Sequence, residues 1–133
     1  MSRGCRIPQV KGVPEKHNII QGRFKKQGKG DWAVLCLRGN TSTILVYWNG
    51  SPEGPAQLAP MDETITPSKN GYYRILQAVS EKFIRSHYEP SASDMDPLPS
   101  ILDHDGIEDG IFEKGSIVHY FNNGKWLRLA GSD

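Results

Sequence analysis

The sequence predicts a mainly β protein, a small antiparallel sandwich or barrel built from hairpins, with one short helix. Three observations carry this. The chain has 14 Gly and 9 Pro among 133 residues, and they interrupt it every few positions, leaving room for strands and turns but hardly for long helices. "DWAVLCLR" (31–38) and "TSTILVYW" (41–48) are apolar runs rich in β-formers, separated by Gly39-Asn40, which is a hairpin signal. "GSIVHYFNNGKWLRLAG" (115–131) reads as another hairpin around an Asn-Asn-Gly turn.

The elements follow in order. Residues 1–16 form an irregular basic segment, because Pro8, Gly12 and Pro14 forbid a regular element. "HNIIQGRF" (17–24) reads as a first strand and "KKQGKG" (25–30) as a tight basic turn. Residues 31–50 make the hairpin named above. Residues 51–71 read as loop, with a short strand near Leu58, and "YYRILQAV" (72–79) as a strand. In "SEKFIRSHY" (80–88), Ser80 can cap a helix whose Phe83, Ile84 and His87 share one face, and Pro90 ends it. "PSASDMDPLPS" (90–100) is a proline-rich loop. At this length the whole chain, 1–133, reads as one domain. No apolar run approaches the length of a membrane span.

The net charge of +1 hides an asymmetry. Residues 1–30 carry eight Lys and Arg against Glu15, which gives +7, so the remainder sums to −6. Residues 89–113 hold eight acids and no Lys or Arg. The two segments are expected to lie near each other in the fold, since each would otherwise repel itself.

Cys5 and Cys36 are the only cysteines. A bridge between them would anchor the Pro- and Gly-rich N-terminus on the strand 31–38, and such a bridge fits a compartment outside the cytosol. "MSRGCRIPQ" has no apolar stretch, so a signal peptide is expected to have been either removed or never present. The expected location is periplasmic or secreted.

The stretch "ILDHDGIEDGIFE" (101–113) gathers acids around Gly106. Calcium takes about six to eight oxygens, largely from carboxylates and carbonyls of one loop. Asp103, Asp105 and Asp109 fit the third, fifth and ninth places of such a loop, and Gly106 the sixth. Ile101 and Phe112 fall on the first and last places, where neither can ligate, so Glu113 or a distant carboxylate would be needed to finish the site. The stretch is therefore read chiefly as a tight acidic turn entering a strand, with Gly106 and Gly110 in conformations other residues resist. Asp103 or Asp105 is expected to accept backbone amides of the turn.

The sequence names no catalytic residue and no required cofactor. His17, His87, His104 and His119 have no zinc spacing. His104 reads as an exposed turn histidine and His119 as a packed strand residue. There is no nucleophile elbow and no phosphate loop. Phe24 and Trp32 flank lysines and could stack on bases, but the later acidic segment opposes nucleic acid, and both aromatics are expected to point inward. Asn40 and Asn49 begin Asn-x-Ser/Thr triplets in expected turns.

"GRFKKQGKGDWAVL" (22–35) resembles an FG-GAP repeat, and "DHDGIEDGI" (103–111) resembles the same loop and the aspartate-rich calcium loops of thrombospondin-like repeats. One propeller blade takes roughly 40 to 50 residues and a propeller needs several, so this chain can share only the loop grammar. The chain also resembles uncharacterised secreted bacterial proteins. An internal echo accompanies the loops: "GKGDWAVLC" leading to "ILVYWNG" is matched by "GIEDGIFEK" leading to "IVHYFNNG". The expected function is a non-enzymatic extracytoplasmic binding domain for a protein or glycan partner. The alternatives are a small hydrolase using acids of the 103–113 loop, or a periplasmic inhibitor of an envelope hydrolase.

Overall fold

Residues 31–38 lack the in-out alternation of a strand with one wet face, and the fold explains why. The computed structural model describes residues 4–10, 12–25, 30–63, 74–91, 94–111 and 115–132. It contains strands β1 (Ile19–Gly22), β2 (Asp31–Arg38), β3 (Thr41–Tyr47) and β4 (Ala56–Asp62), which form one antiparallel sheet in the order β1-β2-β3-β4. Strands β5 (Arg74–Val79), β6 (Gly106–Ile111), β7 (Ser116–Asn122) and β8 (Lys125–Ala130) form a second, in the order β5-β6-β7-β8. One helix, α1 (Glu81–His87), lies between β5 and β6 in the chain. The architecture is a small sandwich of two four-stranded meanders, not a closed barrel.

On β2, Ala33 and Leu35 join Ile44, Val46, Leu58, Leu76 and Ile107 in the core between the sheets. The alternate residues Val34 and Cys36 pack outward with Leu45 and Tyr47, under Cys5 and Ile7. Both faces of β2 are therefore covered, which is why its sequence is a continuous apolar run. The outer face of the second sheet is covered in the same way. Val118, Tyr120, Leu127 and Leu129 pack there against Ile84 of α1 and Leu102. Each fully buried large side chain contributes about 1.5–3 kcal/mol through burial.

The turns follow their residues. The β2–β3 turn starts with Gly39 at φ +57, the glycine-first arrangement of a II′ hairpin. The β7–β8 turn has Asn123 at φ 50 and Gly124 at φ 83, as a I′ turn requires. Helix α1 is too short to stand alone. The Ser80 hydroxyl accepts from the Phe83 amide at 3.4 Å, and Ile84 is wholly buried.

Cys5 and Cys36 are joined by a disulfide, with their Cα atoms 4.9 Å apart. Beside it, Arg6 and Leu37 exchange backbone hydrogen bonds of 3.0 and 2.9 Å. Of the N-terminal segment, the described residues 4–10 and 12–16 form no helix or strand, and Arg6 pairs with Leu37 of β2 in an isolated bridge. Strand β4 extends well beyond the short strand expected near Leu58.

The expected acidic turn requires correction. Gly106 through Ile111 is strand β6, so Gly106 and Gly110 are strand residues, and neither has a positive φ. Their need for glycine is one of space. A Cβ on Gly106 would meet Val118 Cγ1 at 2.5 Å and Ile84 Cδ1 at 3.2 Å, and one on Gly110 would meet Ser116 Cβ at 2.9 Å. The internal echo falls on corresponding strands, since β2–β3 and β6–β7 are the second and third strands of their sheets.

Candidate functional site

Two aspartates, Asp31 and Asp105, act on the backbone. After β1 the chain turns at Arg23 and Phe24. The Arg23 amide donates to Asp105 Oδ2 at 3.0 Å, and the Phe24 amide donates to Asp31 Oδ2 at 2.9 Å. Asp31 Oδ1 also accepts the Asn49 amide at 2.7 Å. Each aspartate stands at the entrance to a second strand of its sheet, so one turn is clamped from both sheets. The Asp105 amide returns a bond to the Arg23 carbonyl at 2.6 Å, and the Arg23 guanidinium donates to the Asp103 carbonyl at 2.9 Å. The basic and acidic segments therefore do meet, at Arg23 and residues 103–105. The amide that Asp105 accepts belongs to this other turn and not to its own.

Asp109 is elsewhere. It lies four residues along the chain from Asp105, roughly 13 Å in extended backbone, and is buried between the sheets. The Arg74 guanidinium grips it with bonds of 2.9 and 2.8 Å, and His119 Nε2 lies 2.9 Å from Oδ2. Burial pushes the Asp109 carboxyl up, but the bonds from Arg74 and His119 outweigh this and hold it at about 2. Asp103, Asp105 and Asp109 consequently do not converge, and Glu113 lies outside the described residues. Among the described residues no group of three or more His, Cys, Asp or Glu is arranged to hold a metal ion.

His104 also requires correction, for it is buried rather than an exposed turn residue. Its ring stacks on Tyr120 with centroids 4.2 Å apart. Nδ1 lies 2.8 Å from Asp103 Oδ1 and Nε2 lies 2.6 Å from the Phe121 carbonyl. The Asp103 amide donates to the Tyr120 hydroxyl at 3.1 Å. Burial pushes the Tyr120 phenol up, and the nearby Asp103 charge adds to this. Arg85 fixes the same segment further back by donating to the Ser100 carbonyl at 3.0 Å. Bonds at Ser100, Asp103 and His104 thus anchor residues 99–104, which form one wall of a groove.

Facing this wall is the β7–β8 turn. Between them runs a groove of about 550 Å³ lined by Lys25, Ile101, Asp103, Phe121, Asn122 and Asn123, with Pro99, Ser100 and His104 completing it. This volume falls within the usual range for small-ligand sites. Behind it, Phe121 rests on Trp48 and Trp126 at centroid distances of 5.1 and 5.0 Å, and the two tryptophans stack at 5.9 Å. Lys25 Nζ sits 4.6 Å from the Trp48 ring centroid. Ile101 is 70% exposed at the rim. Asp103 and His104 also line a second groove with Arg23, Glu81, Leu102 and Asp105.

Of the aromatics flanking the basic turn, Phe24 points into the central core as expected, whereas Trp32 lies on the outer face of the first sheet, half-buried against Val34, Cys36, Leu45 and Tyr47. Sequence reasoning missed Arg74, Asn18 and the Asn122–Asn123 pair. A signal for Arg74 was present, since alternation puts it on the same strand face as Leu76, and a core-facing arginine demands partners.

No family model matches the chain, and neither a curated protein nor a solved structure matches it. Among the described residues no helix is long and apolar enough to cross a membrane.

Proposed function

We propose that this chain is a non-enzymatic binding domain that works outside the cytosol, in the periplasm or as a secreted protein. Its partner, a protein or a glycan, docks in the groove between residues 99–104 and the β7–β8 turn. The observation that carries this reading is the contrast between the groove's anchored wall and the unengaged side chains that Ile101, Asn122 and Asn123 present to it. Ile101 stands exposed, and the side chains of Asn122 and Asn123 make no hydrogen bond among the described residues. A preorganised wall with free polar groups and an exposed apolar residue is suited to capture a ligand at low ordering cost. The Cys5–Cys36 disulfide supports the compartment, since such bridges persist in oxidising surroundings.

The acids of the 101–111 stretch support binding over hydrolysis. Hydrolysis of a glycosidic bond by paired carboxylates needs both facing one cleft. Asp103 is the carboxylate of this stretch that lines the groove. Asp109 is internal and Glu108 accepts from Ser116 and Ser132 at 2.7 and 2.9 Å. In the second groove, shared by Asp103, Asp105 and Glu81, Asp105 accepts the Arg23 amide and Glu81 pairs with Arg85. A photo-reactive residue at position 101 or 123, with position 57 on β4 as control, tests the reading in the native compartment. Crosslinks from 101 and 123 but not from 57 are expected. Crosslinks from all three alike, or from none, would overturn it.

A further inference from the structure

Resting on that reading, we infer that the occupant of the groove is a saccharide, an uncharged oligosaccharide rather than a peptide. Three features of the groove lead there.

The first is the kind of polar group it offers. A sugar presents hydroxyls that both donate and accept at close spacing. A primary amide answers with two donors and an acceptor on one planar group. Asn122 and Asn123 put two such amides side by side on a fixed hairpin turn, and neither is engaged within the described residues. Lys25 and Ser100 add donors.

The second is the apolar part. A pyranose ring has faces made of C–H groups, which pack on an aromatic or aliphatic surface. Phe121 and Ile101 supply such surface in the groove. Phe121 is held by Trp48 and Trp126 behind it, so its ring does not have to be ordered on binding.

The third is what the groove lacks for other ligands. An extended peptide would bind by adding a strand to a free sheet edge. Strand β7 is interior, paired on both sides by β6 and β8. At Arg128 the outer edge of β8 is already taken, because Asp96 accepts the Arg128 amide and donates its own amide to the Arg128 carbonyl, both at 2.8 Å. A helical peptide needs a continuous apolar trough, and this groove is interrupted by Asp103, Lys25 and two asparagines. An anionic ligand would face the Asp103 carboxylate, and a cationic one would face Lys25. An uncharged, hydroxyl-rich ligand with one apolar face avoids each of these costs.

The test is a two-dimensional NMR titration of the intact disulfide-bonded chain with trisaccharides of glucose and of N-acetylglucosamine, each carried to millimolar concentration. Expected are saturable shifts confined to Lys25, Ser100, Ile101, Asp103 and the 121–123 stretch, including the side-chain amides of Asn122 and Asn123. Asn122→Ala combined with Asn123→Gly should weaken binding by at least about tenfold, the loss of two modest hydrogen bonds. Glycine is chosen at 123 because the turn needs a positive φ there. Ile101→Ser, on an exposed side chain, gives a second variant that leaves the turn untouched and should also weaken binding. Shifts absent with both sugars, or spread away from the groove, would overturn the saccharide. If positions 101 and 123 nevertheless crosslink to a protein, the binding reading stands and the saccharide alone fails. If neither experiment engages the groove, both fall.

Discussion

Arg74 and Asn123 are both polar side chains of a small sandwich, and their surroundings are opposite. Arg74 is 2% exposed. All five of its N–H donors are used, on the two oxygens of Asp109, the Ser42 carbonyl and hydroxyl, and the Ala59 carbonyl. It leaves β5 in one sheet and ends on β3 and β4 of the other, so it joins the two sheets. Asn18 does similar work along the adjoining edge. Its amide donates to the Pro8 and Arg74 carbonyls and accepts the Leu76 amide. Asn123 stands in solvent with an unengaged side chain, and its neighbour Asn122 is likewise unengaged. The comparison teaches where to look for function here. Polar groups whose bonding capacity is spent inside the fold specify the fold, and those left open in a groove are available to a ligand.

The largest effect should come from breaking the seam. Arg74→Met leaves the Asp109 carboxylate buried with only His119 beside it and strands the Ser42 and Ala59 carbonyls. Removing one partner of a buried pair costs about 3–5 kcal/mol, so urea unfolding should show a loss of that size. A loss below about 1 kcal/mol would mean that the seam is not what joins the sheets.

Next comes the strap. The disulfide closes a loop with a sequence separation of 31 residues, for which chain entropy predicts roughly 3–4 kcal/mol. Cys5→Ser combined with Cys36→Ser should lower the unfolding midpoint accordingly. It should also expose the amides of β2 near Leu37 to hydrogen exchange, while β6 and β7 stay protected. Uniform loss of protection across both sheets would show that the strap does not act locally.

Acid gives a smaller and more selective effect. The folded carboxyl of Asp109, at about 2, lies below its ordinary value of 3.8. The sign is that of a depressed acid: its contribution is fully present above about pH 4 and is lost as pH falls toward 2. The difference amounts to about 2 kcal/mol. Asp109→Asn should flatten the stability profile over that window, measured by urea unfolding at a series of pH values.

The same contrast explains what could be read from the sequence. The β2–β3 hairpin was legible because its apolar runs and its Gly-Asn turn are local. The extent of β4 was not, since it carries Pro60, a register shift opposite Ser42 and Ile44, and Ala59 at φ 54. Gly106 and Gly110 looked like turn residues because crowding by Val118 and Ser116 across the sheet leaves no local mark. The Arg74–Asp109 pair spans 35 positions, and only strand register brings it together. The groove was hidden for a related reason. Its two walls come from residues 99–104 and 121–123, and "NNG" announces a hairpin without announcing a site.

The most direct measurement is the equilibrium unfolding free energy of the Asn122→Ala/Asn123→Gly variant, taken beside Arg74→Met in the same buffer. If groove polarity serves a ligand and seam polarity serves the fold, the asparagine pair should change stability by no more than about 0.5 kcal/mol while Arg74→Met loses several. Equal losses from the two variants would contradict the account, because the groove amides would then be holding the protein together.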